Sequence, residues 1–136
     1  MNIDKLKKQH VDILGCIAAL REASQAGIVK NAAQIAQLII SMSSIIKLHL
    51  AVEDQMLYPT LRNGNNATLA KMGKKFQDEM GSIASAYVTF AGRWNQAEKV
   101  SHDPEGFRLD ANTVLKTVYE RMQKENSVFY PAIEAH

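Results

Sequence analysis

Apolar residues spaced three and four apart along nearly the whole of this 136-residue chain constrain it most. Such spacing builds one apolar stripe per helix and leaves no sign of strands. The first stripe is Ile3, Leu6, His10, Ile13, Ile17 and Leu20, ending near SQAG, where Gly27 is a natural stop. Asn31 reads as the N-cap of a second helix, whose stripe is Ile35, Leu38, Met42, Ile45, His49, Val52 and Met56. Pro59 and the run Arg62–Asn66 break that pattern. A third stripe follows with Leu69, Met72, Phe76, Met80, Ile83, Tyr87, Phe90 and Trp94, weakened by glycines at 73, 81 and 92. Residues 99–107 read as a loop, with Asp103 as N-cap and Pro104 as first position of a fourth helix. That helix carries Leu115, Val118, Met122, Glu125 and Phe129, up to Pro131. Four amphipathic segments joined by short polar loops predict an all-α, up-down-up-down four-helix bundle, a single domain over residues 1–136.

Composition narrows the function classes. A formal net charge of +2 with no basic stripe argues against nucleic acid as a partner. The start MNIDKLKKQH has no apolar signal core, and no apolar run is expected to reach the ~18 residues that cross a bilayer, so no membrane partner is expected. One cysteine, Cys16, cannot pair within the chain, which fits a reducing, cytoplasmic setting.

Two histidines stand inside apolar stripes, His10 in the first and His49 in the second, and Glu53 follows His49 by one helical turn. Two imidazoles and a carboxylate form a ligand set used for iron or zinc, and Glu125 on the last helix offers a fourth group. The same residues also make a hydrogen-bonded polar core, and spacing alone leaves both readings open. The chain also repeats itself weakly. EDQMLYP from Glu53 to Pro59 matches ENSVFYP from Glu125 to Pro131 at a shift of 72, and residues around His10 match those around Met80 at a shift of 70. The repeat pairs Glu53 with Glu125, His10 with Met80 and His49 with Arg121.

The segments QHVDIL around His10, HLAVEDQMLYP from His49 and ENSVFYP from Glu125 resemble the hemerythrin-like, HHE cation-binding family over nearly the whole chain. The resemblance implies a four-helix bundle with a non-haem di-iron centre of five His and two carboxylates, which binds oxygen or senses oxygen, nitric oxide or iron. By motif, it makes His10 the ligand of the first helix, His49 that of the second, Glu53 a bridging carboxylate and Glu125 the carboxylate of the last helix. The departures are specific. The only histidines are His10, His49, His102 and His136, so the third helix supplies none. Where the family expects two further histidines, the chain reads Met80 and Arg121.

Arg121 lies one turn before Glu125, and its permanent charge can grip a carboxylate. Two buried carboxylates without a cation would cost several kcal/mol each. The reading that follows is an ion pair in which Arg121 replaces the second metal. The expected function is a metal-binding or sensory module holding at most one iron or zinc ion through His10, His49, Glu53 and Glu125. An oxygen carrier is not expected, because reversible oxygen binding in the family draws on two irons. The competing expectation is an interaction bundle with no ion, which binds a partner protein or a second copy of the chain on its outside. An iron enzyme ranks last, since no acid–base pair marks it and no catalytic residue stands out.

Overall fold

The apolar stripes become helices close to where their spacing puts them. In the computed structural model, which describes residues 1–136, α1 spans Asp4–Ala26, α2 Ala32–Arg62, α3 Ala67–Trp94, α4 Ala97–His102 and α5 residues 104–134. No strand is present. Gly27 ends α1 with φ 134°, a conformation that a side chain would strain. Asn31 stands before α2 but does not cap it. Its Nδ2 instead donates to the carbonyls of Ala23 and Gly27, which closes the α1–α2 turn. Asp103 does cap α5, accepting from the Gly106 N–H at 2.9 Å, with Pro104 in the first turn.

Four expectations need correction. The supposed loop at 99–107 is mostly helix, because Val100 and Phe107 are fully buried and pull both flanks into regular turns against the core. The bundle therefore carries a short fifth helix. Pro59 does not end α2. Residues Glu53–Leu57 form a π-turn in which the Tyr58 N–H bonds back five residues to the Glu53 carbonyl. A proline in an α-helix clashes with the carbonyl four residues back, and the wider turn moves that carbonyl aside. The same device recurs at Glu125–Phe129, where the Tyr130 N–H reaches the Glu125 carbonyl and Pro131 stays inside α5. On α2 the buried face runs through Ile35, Ile39, Met42, Ile46, His49 and Glu53, so Leu38 and Ile45 sit at its edge and Met56 is 64% exposed. Finally, α2 is long and apolar enough by length and composition to cross a membrane, with a mean hydropathy of 1.7 over eighteen residues. It is apolar because it supplies core to α1, α3 and α4 while carrying a single charged residue, Lys47, between Ala32 and Val52.

Two apolar clusters fill the bundle. The larger joins Ile13, Ile17, Ile39, Met42, Phe90, Phe107 and Met122 with their neighbours, and includes Met80. The smaller joins Ile3, Leu6, Leu57, Phe76, Phe129 and Ile133 at the opposite end. Each such side chain stabilises the fold by about 1.5–3 kcal/mol when taken fully from water. Between the clusters lies one polar layer, and its members come from α1, α2 and α5.

Candidate metal centre

The polar layer holds His10, His49, Glu53, Arg121 and Glu125, none more than 4% exposed. These are the five residues singled out in the sequence, and the bundle brings all five together. His102 and His136 lie on the surface, away from it.

His10 enters from α1 and His49 from α2, their rings 4.7 Å apart and their Nε2 atoms 3.2 Å apart. Each ring is held from behind. His10 Nδ1 lies 2.7 Å from Asn126 Oδ1, and His49 Nδ1 lies 2.8 Å from Gln9 Oε1. Amide oxygens only accept, so both Nδ1 atoms donate and both Nε2 atoms aim inward. This is how a protein fixes the tautomer and the orientation of a metal-binding imidazole.

The carboxylates close the layer from two sides. Glu125 Oε1 is 2.8 Å from His10 Nε2 and 3.7 Å from His49 Nε2. Its other oxygen, Oε2, accepts from Arg121 Nε at 2.7 Å. Glu53 Oε2 is 3.4 Å from His49 Nε2, while Glu53 Oε1 is buried with no partner. Arg121 also donates through Nη2 to the Phe76 carbonyl at 2.7 Å and to the Tyr58 hydroxyl at 3.4 Å, and its guanidinium lies over the Phe76 ring. Tyr130, stacked on His10, puts its hydroxyl 3.1 Å from Glu53 Oε2 and 3.2 Å from both Glu125 Oε1 and His10 Nε2.

The two glutamates are electrostatically unlike. Burial alone would raise Glu125, but hydrogen bonds from His10 and His49 and the charge of Arg121 outweigh it and hold the carboxyl well below the usual range. Burial pushes Glu53 up, and the charge of Glu125 adds to the rise. Burial opposes charge on His49, yet its bonds to Glu125 and Glu53 carry it up to about 9. Burial also pushes the Tyr130 and Tyr58 hydroxyls far above the phenol range.

A cation fits this donor set. One atom each from His10, His49 and Glu125 lies within 4.8 Å of the others. The Nε2 atoms of both imidazoles face Glu125 Oε1, Glu53 Oε2 lies beside His49, and an orphaned carboxylate oxygen remains next to them. An entering ion would take over the positive charge that His49 supplies here, as its proton leaves. The far side of Glu125 is different, since the guanidinium of Arg121 already stands there. Met80 offers no polar contact; with Ile13, Ile46 and Met122 it lines a small apolar void against His49.

Three members of the layer escaped the sequence reading. Gln9 and Asn126 each sit beside a site residue in sequence, but neither lies on an apolar stripe. Tyr130 lies five residues from Glu125 and so off its face in any ordinary helix.

A family model described as the hemerythrin HHE cation-binding domain matches residues 1–133. No curated protein and no solved structure matches the chain.

Proposed function

The chain belongs to the hemerythrin HHE cation-binding domain family, and from that premise we propose that it is a single-ion metal-binding module whose second cation position is filled by Arg121. His10, His49, Glu53 and Glu125 would hold the ion. The observation that carries this reading is the divided use of Glu125: Oε1 turns toward the two imidazoles and Oε2 toward the guanidinium. The tyrosines divide in the same way. The Tyr130 hydroxyl stands on the imidazole side and the Tyr58 hydroxyl on the Arg121 side. One position thus keeps donors for an ion, and its neighbour has a built-in cation.

When bound, iron or zinc supplies a Lewis-acidic centre there. The protein's own residues bury the site between two apolar clusters and fix both imidazoles through Gln9 and Asn126. A carrier that releases oxygen unchanged would draw electrons from two irons, so sensing or binding suits a one-ion site better. His10, His49 and Glu125 come from three helices, so filling the site ties α1, α2 and α5 together. Occupancy is then legible on the outer surface.

Metal analysis of protein supplied with iron and with zinc tests the reading. One ion per chain is expected, and H49A should lose it while keeping its helical circular dichroism. Two ions per chain, or full metal content in H49A, would refute it. The competing reading, an interaction bundle with no ion, draws on the charged His49 and Arg121 balancing the two glutamates, and it predicts no stoichiometric metal in any sample.

A further inference from the structure

The centre of the polar layer contains more lone pairs than protons, and a phenol stands among them. Around the site, His10 Nε2 is 3.2 Å from His49 Nε2, His49 Nε2 is 3.4 Å from Glu53 Oε2, Glu53 Oε2 is 3.1 Å from Tyr130 Oη, and Tyr130 Oη is 3.2 Å from His10 Nε2. These four contacts close a ring. Glu125 Oε1 caps it, 2.8 Å from His10 Nε2, 3.7 Å from His49 Nε2 and 3.2 Å from Tyr130 Oη. Donor atoms about 2.1 Å from a common ion lie about 3 Å apart when adjacent in a square or octahedral arrangement. The four ring contacts have spacings of that size, and the cap meets three of the four corners.

Hydrogen bonding does not account for the three contacts of the phenol. Tyr130 has one proton, yet its oxygen faces two carboxylate oxygens and an imidazole nitrogen at nearly equal distances. Both histidines already spend their Nδ1 protons outside the ring, on Asn126 and Gln9. The backbone puts the phenol there on purpose. In an α-helix, residue i+5 points about 140° away from residue i. The π-turn from Glu125 to Phe129 reduces that rotation, and the Tyr130 hydroxyl comes within 3.2 Å of Glu125 Oε1. The equivalent turn at Glu53–Leu57 carries Tyr58 instead to Arg121.

We propose that Tyr130 Oη is the fifth ligand of this site and makes it selective for ferric iron. The proposal rests on the one-ion reading above. A phenol oxygen added to two imidazoles and two carboxylates makes the set harder than the two imidazoles and a carboxylate that serve zinc and ferrous iron. Binding is a ligand exchange: the O–H bond breaks, the Fe–O bond forms, the proton leaves to solvent as the ion enters, and iron stays ferric.

The test loads the metal-free full-length protein with ferric citrate and, separately, with a zinc salt. The ferric protein should show a visible phenolate-to-iron charge-transfer band and, in resonance Raman excited in that band, tyrosinate ring modes; the zinc protein should be colourless. Tyr130→Phe should keep about one iron per chain and lose both signals, whereas Tyr58→Phe should keep them. An iron-loaded parent without tyrosinate modes overturns the proposal even if Tyr130→Phe does not fold, and so does a band that survives in Tyr130→Phe. Absence of bound iron and zinc in the parent overturns the one-ion reading and this proposal together. Colourless protein with one iron per chain overturns the role of Tyr130 alone.

Discussion

Arg121→Met separates a guanidinium that neutralises buried charge from one that merely fills space. Methionine keeps an unbranched chain against Phe76 and removes only the charge and the donors. In the metal-free protein it leaves Glu125 Oε2 without its 2.7 Å partner and the Phe76 carbonyl without its own, in a layer where Glu125 is fully buried. Removing one member of a buried ion pair costs about 3–5 kcal/mol, because the other charge stays behind unpaired. At about 4 °C per kcal/mol for a domain near this size, the melting temperature should fall by roughly 12–20 °C. Calorimetry in the presence of a chelator measures it. Arg121→Met combined with Glu125→Gln removes both charges, so it should recover most of the loss, a coupling that a double-mutant cycle reads directly. Saturating metal should raise the melting temperature of Arg121→Met more than that of the parent, since the ion then meets two carboxylates with no guanidinium beside them. A loss below about 1 kcal/mol in the metal-free variant would refute the idea that Arg121 stands in for an ion, because that is what an exposed pair contributes.

Two further outcomes follow from the same layer. His49 is raised from its ordinary 6.5 to about 9 in the folded protein, so its contribution to stability is fully present below about pH 6.5 and is lost as pH rises through about 9. The metal-free protein should therefore melt lower at pH 9.5 than at pH 6.5, and His49→Gln should flatten that slope; an equal slope in the variant would contradict it. The double substitution Met80→His with Arg121→His places imidazoles where the internal repeat pairs those positions with His10 and His49. Its metal content should rise from one ion per chain to two, and a content that stays at one would show that these positions do not account for the missing ion.

The legible part of this protein is the part that breaks a pattern. His10 and His49 are visible because imidazoles interrupt apolar stripes, and in the structure each lies between apolar clusters as its stripe requires. Glu53 and Arg121 are visible because each sits one α-helical turn from a partner on the same face, His49 and Glu125 respectively. Tyr130 is hidden because face assignments assume 100° per residue, and that assumption fails across Glu125–Phe129. Pro59 and Pro131 compounded the error. A proline reads as the end of a helix, although here each follows a wide turn that lets the helix continue. The pattern Glu-four residues-Tyr-Pro occurs twice in the sequence, and its physical meaning is a π-turn that carries a phenol toward the polar layer. Gln9 and Asn126 could not be found by periodicity at all. Each is an amide next to a site residue, and only the crossing of α1 with α2 and α5 turns it toward the histidine it orients. Helix periodicity therefore reports which residues share a core, whereas the tautomer of each imidazole and the reach of each phenol depend on a contact between helices or a local change of pitch.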